Sequence, residues 1–78
     1  MRIELMLNKV SIPENGFPKI ESEFIRRMEQ HWPDAMIRVR TGTINDLTVL
    51  GGPKDCKAEV GAVLEEMFDE ADEWLYNE

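Results

Sequence analysis

The sequence is poor in residues that build covalently linked or metal-bound sites. Its 78 residues include one cysteine and one histidine, which excludes an internal disulfide framework and a zinc-type Cys/His cluster. A single cysteine fits a reducing cytosol. The longest apolar runs fall far short of the roughly 18 residues of a membrane span, and "MRIELMLNKV" is too short and too charged for a signal peptide. We therefore expect a cytoplasmic protein with no membrane contact.

Basic residues are missing from the last quarter of the chain. The segment 59–78, "EVGAVLEEMFDEADEWLYNE", holds eight carboxylates and no Lys or Arg. Residues 1–57 hold nine bases and eight acids, so the acidic excess behind the net charge of −7 lies wholly in the last quarter. A segment of this kind repels nucleic acids and membrane surfaces and attracts basic partners.

Periodicity predicts three strands and two helices in a single domain over residues 1–78. "RIELMLN" (2–8), "IRVRT" (37–41) and "LTVLG" (47–51) read as strands, and 42–46 reads as a hairpin connection. A 3.6-residue apolar period begins at Phe17 and ends at Trp32, before Pro33. Asp55 is expected to cap a second helix that runs to about Tyr76.

This order predicts an α+β fold with two layers, β-α-β-β-α, in which a three-stranded mixed sheet carries both helices on one face. The crossover after the first strand is long enough for a parallel, right-handed connection. The other sheet face is expected to be half solvated, with side chains from Arg2, Glu4, Met6, Arg38, Arg40 and Thr48.

A helical projection separates the acidic segment into a core face and a charged remainder. The core face is expected to hold Val60, Val63, Leu64, Met67, Ala71, Trp74 and Leu75, with Phe68 at its margin. The carboxylates wrap the solvent side. Like charges at i,i+4, such as Glu66–Glu70 and Glu65–Asp69, each cost roughly 0.2–0.5 kcal/mol, and a helix C-terminus disfavours anions.

The unpaired acidic charge on this helix is greater than solubility requires, so we interpret the helix as a binding surface. Its carboxylates recur once per turn, about 5.4 Å apart, which is comparable to the spacing of phosphates along a nucleic-acid strand. The pattern therefore predicts a nucleic-acid mimic that binds a nucleic-acid-binding protein. The candidate partner-binding residues are Glu59, Glu65, Glu66, Asp69, Glu70, Asp72, Glu73 and Glu78.

Signals for catalysis are weak in this sequence. His31 lies at a helix end, where a cation is favourable, and Cys56 has no second cysteine to resolve it. The paired carboxylates lie on a convex helix and not in a cleft. We therefore expect no enzyme activity, no cofactor and no metal. Direct binding of nucleic acid through Arg2, Arg38 and Arg40 is a further hypothesis, opposed by the acidic segment.

Several segments, taken in order, resemble the DNA-damage-inducible protein I (DinI) family. They are "MRIE", "FIRRMEQHWPD", "IRVR", "NDLTVLGG" and "VLEEMFDEADEWLYNE", and together they span essentially the whole chain. The family has the same β-α-β-β-α arrangement that the periodicity predicts.

The resemblance implies a bacterial cytoplasmic protein that binds RecA recombinase and modulates the SOS response. In the family, the acidic C-terminal helix resembles single-stranded DNA and affects both the stability of the RecA filament and its coprotease activity. The resemblance places this role on Glu65, Glu66, Asp69, Glu70, Asp72 and Glu73. Some family members are linked to survival in macrophages, so an interaction with a different basic partner is the alternative. The concentration of like charge predicts a monomer.

Overall fold

The sheet is organised around its first strand. The computed structural model describes residues 1–13, 15–52 and 54–75. Strand β1 (Arg2–Asn8) lies between β2 (Met36–Gly42), which runs parallel to it, and β3 (Asp46–Leu50), which runs antiparallel. The parallel neighbour follows from the long helical crossover between β1 and β2. The expected hairpin connection over 42–46 is wrong, because β2 and β3 lie on opposite sides of β1 and do not pair with each other. The segment 43–45 instead crosses the end of β1, where Oδ1 of Asn45 accepts from the N–H of Asn8 at 2.7 Å. The predicted three-stranded mixed sheet is confirmed.

Both long helices pack on one face of this sheet. A 3₁₀ turn (Lys9–Ser11) leads toward helix α1 (Phe17–His31), and β3 is followed by helix α2 (Cys56–Asp69) and a short helix α3 (Ala71–Trp74). Burial of apolar side chains holds the layers together. The buried core comprises Ile3, Leu5, Leu7, Val39, Ile20, Phe24, Met28, Cys56, Val60, Met67, Ala71 and Leu75. The predicted two-layer arrangement is confirmed.

The opposite side of the sheet carries no helix within the described part of the chain. Alternation along the strands directs every second side chain to that side. We call it the open sheet face, and it consists of Arg2, Glu4, Met6, Met36, Arg38, Arg40, Asp46, Thr48 and Leu50. It contains all six residues that the sequence places there.

Helix α1 begins and ends where its prolines predict. Pro18 lies in the first turn, where a backbone N–H would have no hydrogen-bond partner within the helix, so proline costs no hydrogen bond there. At the other end, the backbone N–H of Trp32 donates to the carbonyl of Met28 at 2.7 Å, and Pro33 follows. The residue before a proline is disfavoured in the α region, so the helix stops there.

The expected capping of α2 by the side chain of Asp55 is wrong. Asp55 does precede the helix, but its backbone is left-handed, with φ 65° and ψ 12°, and its carboxylate makes no capping hydrogen bond. A capping side chain normally projects from an extended backbone, so this conformation directs the carboxylate elsewhere. The carbonyl of Asp55 instead accepts from the N–H groups of Ala58 and Glu59, at 3.1 and 3.3 Å.

The expected single helix to Tyr76 is also wrong in its last turns. Helix α2 ends at Asp69, Glu70 takes a non-helical conformation with φ −97° and ψ 13°, and α3 begins at Ala71. Tyr76 lies outside the described residues. No helix among the residues described is both long and apolar enough to cross a membrane.

Replacing Gly61 with alanine should stabilise the protein. Gly61 lies inside α2, and a Cβ added there meets no atom within 4 Å. Alanine in a helix interior is favoured over glycine by about 1 kcal/mol. We therefore expect the Gly61→Ala variant to raise the free energy of unfolding by about that amount, measured by urea denaturation.

The same substitution at Gly52 provides the contrast. Gly52 has φ +84°, a backbone conformation that L-residues rarely adopt. Gly52→Ala should lower the midpoint of urea unfolding. A Gly61→Ala variant no more stable than wild type would mean that α2 is not helical at this position.

Candidate partner-binding surface

Six of the eight predicted acidic residues form one exposed surface. We call it the acidic surface, and its members are Glu59, Glu65, Glu66, Asp69, Asp72 and Glu73, all exposed. Four of them lie on α2 and two on α3. Glu70 is half-buried at the junction of the two helices, and Glu78 lies outside the described residues.

Packing of the other helical side directs these carboxylates outward. Val60, Met67, Ala71 and Leu75 are buried against the sheet and α1. The remaining predicted core residues, Val63, Leu64 and Trp74, are half-buried and pack against that core. Phe68, expected at the margin, is 37% exposed. The helical projection therefore separates the two sides correctly over α2.

Glu70 is not an unpaired carboxylate. Its Oε1 lies 2.7 Å from Nη1 of Arg27 on α1, so the view of this segment as wholly unpaired is wrong at this residue. The C-terminus of a helix favours a cation, and the last turn of α2 has none of its own. Helix α1 supplies that cation across the helix–helix contact.

Trp74 closes the end of α2 by folding back on it. Its indole N–H donates to the backbone carbonyl of Met67 at 2.7 Å. Carbonyl groups in the last turn of a helix lack the N–H partners of an uninterrupted helix, and the indole satisfies one of them. The indole also packs beside Phe68, with ring centroids 6.1 Å apart. The sequence marks Trp74 only as a core residue, and no pattern in it indicates this hydrogen bond.

The break at Glu70 divides the row of carboxylates. Over α2, Glu65 and Asp69 are one turn apart, whereas the position one turn after Glu59 is Val63, which carries no charge. Asp72 and Glu73 belong to α3 and do not continue the helical repeat of α2. A repeat of one carboxylate per turn is therefore present only over 65–70, and the two carboxylates of α3 add exposed charge beyond the break.

Arg27 is held in place by a second carboxylate on its own helix. Glu23 accepts hydrogen bonds from Arg26 and from Arg27, with its Oε2 2.5 Å from each. The hydrogen bond from Arg26 lowers the pKa of Glu23 below its ordinary value of 4.5, against partial burial, which raises it, and Arg27 lowers it further. The network Glu23–Arg27–Glu70 thus ties α1 to the corner of the acidic surface.

The one cysteine and the one histidine of the sequence both make contacts typical of structural residues. Cys56 is buried, with its Sγ 3.7 Å from Sδ of Met1. His31 ends α1, with its ring 5.4 Å from that of Trp32. Within residues 1–13, 15–52 and 54–75, no group of three or more His, Cys, Asp or Glu side chains is placed to hold a metal ion.

Fold and surface together define a small two-layer α+β domain that presents an acidic helical surface. Comparison with known proteins identifies the family: the DinI-like family model matches residues 13–75. The chain belongs to the DinI-like family.

Curated relatives match along nearly their whole length. DNA damage-inducible protein I of Serratia marcescens is 33% identical over 76 residues, which cover 96% of both chains. The protein of that name from Escherichia coli K12 is 32% identical over all of both chains. Virulence protein MsgA of Salmonella typhimurium is 35% identical, again over all of both chains.

Glu23 should make stability depend on pH in the acidic range. Because its pKa is lowered in the folded state, its contribution to stability is present above the unfolded pKa and is lost as the pH falls through the folded pKa. Wild type should therefore exceed a Glu23→Gln variant in urea midpoint near neutral pH, and the difference should shrink progressively below pH 4.5. A difference that stays constant with pH would contradict the role of the ionised carboxylate.

Arg27 and Glu70 should be energetically coupled. A double-mutant cycle with Arg27→Gln, Glu70→Gln and the double variant isolates their interaction. Because Glu70 is partly exposed, we expect a coupling of only about 0.5–1 kcal/mol, measured by urea denaturation at low ionic strength. Strictly additive effects of the two substitutions would show that the ion pair does not form in solution.

Proposed function

We propose that this protein acts in the bacterial DNA-damage response by binding RecA recombinase through its acidic surface. RecA is the partner that resemblance to the DinI family implies, and the name of the Serratia and Escherichia relatives, DNA damage-inducible protein I, supports a role in the DNA-damage response. The proposal assigns the protein an interaction role and no catalysis.

The observation that carries the proposal is the uncompensated charge of the acidic surface. Its six carboxylates are exposed, and none of them forms an ion pair within the described part of the chain. By contrast, Glu23 and Glu70, which lie toward the helix–helix contact, are both neutralised by arginines of α1. Charges that the fold itself does not neutralise are available to a basic partner.

The proposed mechanism is electrostatic mimicry of single-stranded DNA. The backbone that carries the carboxylates of α2 is held by a helix whose other side is buried, so little backbone conformational entropy is lost on binding. These carboxylates would occupy a basic groove of RecA that otherwise contacts phosphates. Whether this contact stabilises the filament or inhibits it then depends on the stoichiometry of the two proteins and on the RecA surface that is contacted.

A second candidate function is supported by one relative. The identity to virulence protein MsgA, 35% over all of both chains, is as high as that to the DNA damage-inducible proteins. In this alternative the same acidic surface binds a different basic protein, in a virulence-associated role. Binding that fails with RecA filaments but succeeds with another basic protein of the host bacterium would favour it.

Removing charge from the acidic surface should weaken binding to RecA filaments. The variant Glu66→Gln/Asp69→Asn changes two exposed carboxylates of α2 and leaves Glu70 and its ion pair untouched. We expect affinity to fall roughly fivefold to tenfold at low ionic strength, since each exposed charge pair contributes up to about 1 kcal/mol. The dependence of affinity on salt should also become shallower. Fluorescence anisotropy of labelled protein, titrated with RecA filaments, measures both quantities.

A matched variant separates local charge from net charge. Glu29→Gln/Asp34→Asn removes the same charge from exposed residues that lie outside the acidic surface, and its affinity should stay within about twofold of wild type. Equal weakening in the two variants would refute a localised binding surface. An unchanged affinity in Glu66→Gln/Asp69→Asn would refute the mimicry mechanism.

A further inference from the structure

We propose that the open sheet face is a docking surface for an extended, acidic segment of a partner protein. This face lies on the side of the sheet opposite the helices, so its occupant is separate from the partner of the acidic surface. The proposal does not depend on the proposed function.

In the described part of the chain, the arginines of the open sheet face differ from Arg26 and Arg27 of α1 because they form no ion pair. Three of the nine basic residues, Arg2, Arg38 and Arg40, lie on it with two carboxylates, Glu4 and Asp46, which makes it net positive in a chain of net charge −7. Within the described ranges these three guanidinium groups form no ion pair. Guanidinium groups pair well with carboxylates, often through two hydrogen bonds, so the face is complementary to an acidic partner.

The spacing of the arginines favours an extended segment. Arg38 and Arg40 lie two residues apart on β2, which places their Cα atoms about 6.6 Å apart. An extended chain presents alternate side chains with the same two-residue period. A helix repeats its carboxylates about every 5.4 Å along one line, which matches this spacing less closely. Acidic residues at alternate positions of an extended segment can therefore meet Arg38 and Arg40 together.

Strand β2 also leaves one backbone edge without a strand. In the described sheet it pairs only with β1, and an unpaired edge can accept an added strand through main-chain hydrogen bonds. A segment added along β2 would run beside Arg38 and Arg40. Main-chain pairing would then supply affinity, and the arginines would select acidic side chains.

Exposed apolar side chains at one end of the open sheet face favour a docked segment that carries apolar residues beside its acidic ones. Arg2 lies between Met36 and Leu50 in the strand register, and these two side chains are 66% and 55% exposed. A shallow pocket of about 160 Å³ next to them is lined by Arg2, Glu4, Met36, Ile37 and Arg38. Two guanidinium groups beside a thioether suit an acidic side chain that is flanked by an apolar one.

Other occupants fit this face less well. None of the three strands contains an aromatic residue, so the face lacks the stacking platforms that single-stranded nucleic acids use. A second copy of this chain would bring the acidic surface, whose helical repeat matches the strand less closely. These alternatives are outcomes of the following test.

The probe is a short labelled peptide of alternating Glu and Val, titrated with the full protein at low ionic strength. We expect binding that is detectable by fluorescence anisotropy and weakens with added salt. In Arg38→Gln/Arg40→Gln the affinity should fall roughly fivefold to tenfold, because two charge pairs are lost. In Lys19→Gln/Lys57→Gln, which removes the same charge from exposed residues on the helices, it should stay within about twofold.

Chemical-shift mapping on the wild-type protein tests the location without any substitution. Peptide-induced shifts should concentrate in β1 and β2, and shifts centred on α2 would overturn the proposal. Absence of binding, or equal losses in the two variants, would also overturn it. Tighter binding of an oligothymidylate to the same face would assign it to nucleic acid instead. A dimer at low salt that dissociates in Arg38→Gln/Arg40→Gln would assign it to a second copy.

Discussion

The burial of one face of strand β1 is the constraint on which the rest of this structure depends. Ile3, Leu5 and Leu7 point to the same side of the central strand and are covered by both long helices. A chain of 78 residues has little apolar surface to bury, and in the described part of the chain the helices cover one face of the sheet. The two surfaces of the molecule follow from this: α2 turns its carboxylates away from the core, and the arginines of the sheet lie on the uncovered side.

The electrostatics of the two helices are coupled through one arginine. Helix α2 ends without a basic residue, although its C-terminus favours one, and Arg27 of α1 meets that need through Glu70. Glu23 on α1 in turn holds Arg27. Glu70, which faces the contact between the two helices, is thus neutralised by Arg27, while the neighbouring acidic side chains are exposed to solvent. The charge that remains exposed is the part that a basic partner can use.

The chain belongs to the DinI-like family, and its relatives include proteins named for DNA damage and proteins named for virulence. The relatives named for DNA damage and the relative named for virulence match this chain to a similar degree. The acidic surface is the feature on which both proposed roles depend.

Periodicity alone determined much of this protein: the alternation in 2–8, 37–41 and 47–51 predicts the sheet, and the apolar repeat of 17–32 bounded by Pro18 and Pro33 predicts α1. These signals are local, since each depends on the chemistry of residues close in sequence. The end of α2 was decided by tertiary structure. Glu70 is paired by Arg27, 43 positions earlier in the sequence, and Trp74 turns back to the carbonyl of Met67. Helical periodicity continues unbroken through 56–75, so it gives no sign of a break that contacts between distant residues stabilise.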